Sequence, residues 1–256
     1  MDLRVHPLPA NLSISLHKAH DLFVNNLRAF YVKAKAIGLG NALIRAMGRT
    51  LHLGSRTAGL PNEADALSTH QDYSLYDGVI PLPNARLMDS TGSPTVENFL
   101  VVGDAWSQVV SSFATRPVVV LDIACGCGKT ARFLARHPHI SRYVGFDTIR
   151  PSIVWNQKYI TSRVGEHFDF HHIDVYSEAY NPSGKIKCSD VKFPVADASV
   201  DLAFAASLFT HLLEDDCKHY LEETVRSLAP KGKALLSIHA ASFGNKSYSG
   251  DEFRAD

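Results

Sequence analysis

The chain has 256 residues, 45% hydrophobic and 20% charged, with acidic and basic side chains in equal number. That composition belongs to a folded globular protein, and zero net charge argues against a dedicated nucleic-acid binder. No apolar run approaches the roughly 18–20 residues of a membrane span, and the N-terminus lacks a compact apolar segment with a cleavage site, so a cytoplasmic location is expected.

Residues 12–53 read as helical, with Leu16, Ala19, Phe23, Leu27, Phe30 and Tyr31 at helical spacing and Gly38, Gly40 and Gly48 breaking the run into two or three helices. Residues 1–60 are also basic, carrying Arg4, Lys18, Arg28, Lys33, Lys35, Arg45, Arg49 and Arg56 against Asp2 and Asp21. A basic amphipathic stretch either caps the main domain with a solvated cationic face or makes peripheral contact with an anionic membrane. The cap is the simpler reading, because Leu, Phe and Lys are ordinary helix residues.

Residues 54–95 are rich in Gly, Pro, Ser, Thr and Asn and read as a connecting segment, which divides the chain into an N-terminal cap and loop, 1–95, and a main domain, 96–256. A helical pattern resumes over 96–114 and ends before Arg116-Pro117. From there apolar strand candidates at Val118–Ile123, Arg142–Phe146, Asp169–Val175, Val200–Ala205 and Ala234–His239 alternate with helices at Lys129–His137, Pro151–Val164 and Leu213–Leu228. The last helix shows Cys217, Tyr220, Leu221, Thr224, Val225 and Leu228 on one face and is stopped by Ala229-Pro230-Lys231-Gly232. Such alternation predicts an α/β fold, a doubly wound, mostly parallel Rossmann-like sheet with an N-terminal helical extension and ligands at the carboxyl ends of the strands.

The segment VVVLDIACGCGKTARFL, 118–134, is a strand running into a glycine-rich turn that opens a helix. Gly126 and Gly128 permit close approach of the backbone to a ligand, and the helix start offers unpaired N–H groups. The same glycines satisfy a dinucleotide fingerprint, so the loop alone fits two cofactor classes. Asp122, just before the turn, would repel a pyrophosphate and attract cationic amino and sulfonium groups. Asp147 ends the next strand about twenty residues on, where an acid accepts both ribose hydroxyls of either cofactor. Asp174 and Val175 end the third strand, where an adenine ring would be capped and its amino group bound. Cys125 and Cys127 alternate with these glycines as small turn residues; a zinc site needs four ligands, so no metal is expected. Disulfides are not expected either.

With these motifs in hand, the sequence resembles the class I S-adenosylmethionine-dependent methyltransferases. LDIACGCG matches their first motif, VGFD (144–147) the second, DVY (174–176) the third, FPVADASVDLAFAASLFTHL (193–212) the fourth and LAPKGKALLSIH (228–239) the fifth. The resemblance covers about half the chain. It implies S-adenosyl-L-methionine as cofactor, held by Asp122, Ala124, Gly126, Gly128, Asp147, Thr148, Asp174, Val175 and Ala206. Lys129 and Thr130 at the helix start either touch the donor's carboxylate or serve as capping and solvated residues.

Closer similarity runs to a bacterial branch often found with polysaccharide or natural-product assembly. It is carried by Leu82-Pro83…Leu87-Met88, Phe99–Gly103, the insertion Asn181–Lys185 and the FTHL box, Phe209–Leu212. That implies O-methylation of a sugar or small-metabolite hydroxyl. A membrane-surface lipid or quinone methyltransferase, or a non-catalytic binding module of the same fold, stands as the alternative. His211 and His239 follow the fourth and fifth strands and are the candidate bases, since imidazole titrates near neutral pH. Both have simpler readings, as a helix-start packing residue and a strand end. The family's sheet continues past the fifth strand, whereas here seventeen residues follow His239, so C-terminal edge strands are expected to be missing or shortened.

Overall fold

The run Val118-Val119-Val120-Leu121 has the β-branched, unbroken apolar character of a strand buried on both faces, and it forms the central strand of the sheet. The computed structural model describes residues 59–70 and 80–237; the helical stretch read at 12–53, and His239, lie outside them. In chain order the main elements are α1 (Ala85–Asp89), α2 (Val96–Ser111), β1 (Val118–Ile123), α3 (Ala131–Leu134), β2 (Ile140–Asp147) and α4 (Arg150–Asn156). Then follow β3 (Phe168–His172), β4 (Val200–Ala205), α5 (Glu214–Ser227) and β5 (Leu228–Leu236). α4 runs on through a π turn, Gln157–Thr161, and a last turn, Ser162–Val164, before Gly165 at φ 106° ends it.

The five strands are all parallel and lie in the order β3-β2-β1-β4-β5. The direction of winding reverses between β1 and β4, so a crevice opens above their carboxyl ends, where open α/β sheets bind ligands. Alternate residues feed two cores. On one face Val120, Tyr143, Phe168, Phe170 and Phe204 pack with Phe99 and Trp106 of α2 and Trp155 of α4. On the other, Leu121, Ile123, Val144, Phe146, Ala203 and Ala205 pack with Phe193 and with Tyr220 of α5. Ile80, Leu82, Leu87 and Met88 belong to the first core, so the segment before α2 shares its packing with the sheet. Both α1 and α2 are capped as their sequences allow: the side chain of Asn84 accepts from Leu87 N, and that of Thr95 from Asn98 N.

Two elements differ from expectation. α5 buries Tyr220, Thr224 and Ser227, whereas Leu221 and Val225, expected on the same face, are 36% and 72% exposed. The buried stripe is the narrow one at i, i+4 and i+7, about 100° around the helix from Leu221 and Val225. Ala229–Gly232, expected only to stop the helix, lies within β5, which pairs Leu228 with Val200 and then Lys233 with Leu202 through a bulge. Lys231 at φ 69° and Pro230, which has no N–H, are accommodated in that bulge. Within the described residues β5 is one edge of the sheet and β3 the other. No helix among them is long and apolar enough to cross a membrane.

Candidate cofactor and acceptor site

β1 leaves the sheet through a left-handed turn: Ala124, Gly126 and Gly128 have φ of 64°, 53° and 73°. A non-glycine residue there is strained, and such strain gathers at ligand sites. The turn is held by backbone bonds, Cys125 N to Phe146 O at 2.9 Å and Gly128 N to Cys125 O at 3.2 Å. Asp147, at the end of β2, clamps the same turn: its Oδ2 accepts from Gly126 N at 2.8 Å and its Oδ1 from Ile149 N at 2.8 Å. Each carboxylate oxygen keeps a lone pair for a further donor, and the side chain borders the cavity. Burial raises the Asp147 pKa despite these bonds.

Asp122 sits beneath the turn, 2% exposed, and its Oδ2 accepts the phenol proton of Tyr143 at 2.5 Å. Burial pushes its pKa up to about 7, against the pull of that hydrogen bond, and the nearby Asp147 raises it further. A buried carboxylate poised at neutrality favours a cationic neighbour.

A second segment roofs the turn. Lys129 Nζ donates to Thr91 O at 2.9 Å and Ser93 Oγ at 3.1 Å, and burial lowers its pKa to about 8. Gly103 lets α2 lie against Lys129, since a Cβ there would stand 2.2 Å from the Lys129 carbonyl oxygen. Gly126 likewise leaves room for Thr91, whose Cγ2 would be 2.5 Å from an added Cβ. Cys125 and Cys127 are buried in the turn, and Cys127 Sγ donates to Leu87 O at 3.3 Å, a packing role.

Past β3, Thr148 Oγ1 donates to Val175 O at 2.6 Å, and Asn181 Nδ2 reaches Asp174 Oδ1 at 2.9 Å, Val175 O at 3.1 Å and Thr148 Oγ1 at 3.2 Å. Two residues past β4 comes another left-handed non-glycine residue, Ser207 at φ 65°, whose N–H donates to Ser237 Oγ at 2.6 Å. The 3-10 turn Phe209–His211 follows and carries an exposed His211.

Asp122, Ala124, Gly126, Asp147, Thr148, Val175, Ala206 and His211 therefore border one cavity at the carboxyl ends of the strands. Gly128 and Asp174 do not. A Cβ on Gly128 would meet Ile160 Cδ1 at 2.3 Å and Asn156 Oδ1 at 2.7 Å, so this glycine serves the packing of the turn on α4. The Asp174 carboxylate holds Asn181 instead. The structure adds Trp106, Thr91 and Tyr180 to the cavity wall, none of them singled out by sequence. Trp106 looked like any aromatic on the apolar face of a helix, and Tyr180 had only its place beside the Asn181–Lys185 insertion as a signal.

Residues 121–234 match the family model described as a methyltransferase domain. The match begins in β1, ends in β5 and takes in the glycine turn and the Asp147 clamp. Residues 121–234 are thus similar to a methyltransferase domain. The chain is also similar to several solved structures. A Burkholderia thailandensis 1,6-didemethyltoxoflavin-N1-methyltransferase, bound to 1,6-didemethyltoxoflavin and S-adenosylhomocysteine, is 24% identical with a TM-score of 0.40, over 54% of this chain and 52% of that one. A Haemonchus contortus phosphoethanolamine N-methyltransferase, bound to phosphomonomethylethanolamine and S-adenosylhomocysteine, is 18% identical with a TM-score of 0.43, over 58% and 31%. The [4+2]-cyclase SpnF is 18% identical with a TM-score of 0.40, over 52% and 44%. The chain thus spans about half the length, or less, of these solved proteins.

Proposed function

We propose that the chain is an S-adenosylmethionine-dependent methyltransferase that acts on a hydroxyl of a small molecule such as a sugar or secondary metabolite. The observation that carries the reading is Asp147, which grips the glycine turn through Gly126 N and Ile149 N and still has acceptor capacity toward the cavity. A carboxylate so placed suits the two ribose hydroxyls of an adenosyl group. Ile149 and Val175 border the same end of the cavity as apolar walls for an adenine ring. Asp122 lies deeper, where its charge suits the amino and sulfonium groups. A pyrophosphate at the glycine turn would meet the buried carboxylate of Asp122, which disfavours a dinucleotide.

When bound, the cofactor supplies an activated methyl group to an acceptor held in line with it. The chain's own work is to hold and align the acceptor and to remove its proton. His211 is the described histidine that borders the cavity and is the base in this reading, worth roughly 10²–10⁴-fold for a hydroxyl acceptor. The cytoplasm is the compartment this reading assumes.

Calorimetry with S-adenosylmethionine, S-adenosylhomocysteine and NAD tests the cofactor, and a donor-consumption screen over nucleotide sugars and metabolite hydroxyls tests the acceptor. Binding of the two adenosyl ligands without NAD is expected. A folded protein that binds neither would be a non-catalytic module of the same fold, and the proposal would fall.

A further inference from the structure

Three side-chain donors border the cavity without acceptors to match them: Trp106, Lys129 and Thr130. Trp106 of α2 is 6% exposed, and its indole N–H has no acceptor among the described residues. The chain's other indole N–H, that of Trp155, is sealed in the core, whereas that of Trp106 opens on the cavity. Thr130, 4% exposed, stands ahead of α3, and its hydroxyl makes no cap bond. Lys129 Nζ donates to Thr91 O and Ser93 Oγ, two neutral acceptors, which leaves its third N–H to place. Gly103, one turn before Trp106 on α2, packs against the carbonyl and Cγ of Lys129, so the helix and the glycine turn bring these side chains to one wall. A cation and two further donors kept out of water with no anion among them are costly, and that cost points to an anionic ligand.

We infer that Trp106, Lys129 and Thr130 form the seat of the cofactor's α-carboxylate. This rests on the methyltransferase reading, which gives the amino and sulfonium groups to Asp122 and leaves the carboxylate without a partner. Amino group and carboxylate stand on one carbon, so the seat has to adjoin Asp122. Phe204, on which the indole stacks with ring centroids 6.3 Å apart, is the β4 partner of Asp122. The charges of Asp122 and Lys129 also act on each other. An ionised carboxylate offers about four lone-pair sites, enough for all three donors, and its charge matches the ammonium. Lys129 then has two tasks, holding the roof and meeting the ligand, while Trp106 supplies a donor fixed in direction by its packing on Phe204. Selectivity follows: an adenosyl ligand without the carboxylate leaves the three donors stranded.

Calorimetry of the full chain at neutral pH with S-adenosylhomocysteine and its decarboxylated analogue, which keeps adenine, ribose and amino group, tests the seat. The parent protein should prefer S-adenosylhomocysteine by roughly 10²-fold or more. Trp106→Phe and Thr130→Val should each weaken S-adenosylhomocysteine by roughly 10- to 10²-fold and leave the analogue within about threefold. A parent that binds the analogue as tightly as S-adenosylhomocysteine, or variants that lose both ligands equally, overturns the inference. The parent's two indole N–H resonances give a readout that needs no variant to fold. The sealed Trp155 signal is marked by slow deuterium exchange, and the Trp106 signal should move downfield with S-adenosylhomocysteine and not with the analogue. A Trp106 signal that answers both ligands alike overturns the seat. A folded parent that binds neither adenosyl ligand sinks the methyltransferase reading itself, a result distinct from equal binding of the two, which sinks the carboxylate seat alone.

Discussion

Replacing Asp147 by alanine removes four interactions at once: two bonds to ribose hydroxyls in the proposed complex, and the acceptors of Gly126 N and Ile149 N. Hydrogen bonds to a charged group are worth about 1.5–3 kcal/mol each. Losing the two ribose contacts therefore weakens binding by about 3–6 kcal/mol, or roughly 10²–10⁴-fold in Kd. The backbone bonds carry a separate cost to the fold. Two stranded amide groups cost about 1–3 kcal/mol apiece, partly offset because a buried carboxylate with a raised pKa is no longer present. A net loss of about 1–3 kcal/mol lowers Tm by roughly 2–4 °C per kcal/mol for a domain of this size. The variant should therefore melt earlier yet remain folded, so thermal melts and calorimetry belong together. The ribose is common to S-adenosylmethionine and S-adenosylhomocysteine, so both affinities should fall by the same factor. A folded Asp147→Ala protein whose Kd changes less than about threefold would refute the assigned role, whatever its Tm.

Asp122 behaves differently, because its charge distinguishes a sulfonium from a thioether. Folding raises its pKa from 3.8 to about 7, so its contribution to stability is fully present below the unfolded pKa and is lost as pH rises through 7. The melting temperature of the free protein should fall between about pH 5 and about pH 8, with a shallower slope in Asp122→Asn. Over the same window affinity for S-adenosylmethionine should rise relative to S-adenosylhomocysteine, and calorimetry showing a constant ratio would rule out charge recognition by Asp122. Gly103→Ala drives a methyl group into the Lys129 backbone and should destabilise the fold by about 1–3 kcal/mol or more; an unchanged melt would mean α2 does not sit on the turn. Lys129→Met loses the bonds to Thr91 and Ser93. Proteolysis between α1 and α2 should quicken in that variant, and an unchanged digestion rate would show that the roof is held by other contacts.

Local sequence determined much of the sheet. β1 and β4 begin and end at the residues their apolar runs mark, because a strand covered on both faces must be apolar along its whole length. The glycine turn and the acids at the ends of β1 and β2 were also legible, since left-handed backbone and strand-end carboxylates leave short-range signatures. β3 was read too long. Its ladder stops at His172, and Asp174 and Val175 belong to the chain leaving the sheet, held by Thr148 and Asn181. The face of α5 was read too broadly, because helical periodicity allows several stripes and only the neighbouring sheet selects the one at Tyr220, Thr224 and Ser227. Gly128 has the sequence signature of a ligand-facing glycine, but Asn156 and Ile160 pack against it. The bond from Gly126 to Asp147 spans 21 residues and the contact between Tyr180 and His211 spans 31. The roughly twenty-residue spacing of glycines and acid pointed to the first pair, but no periodicity or spacing rule reaches the second. The chain's own composition fixed which segments become strands, helices and tight turns. Only the winding of the sheet decided which of their end residues share a cavity, because that is set by long-range packing of two cores rather than by any neighbour in sequence.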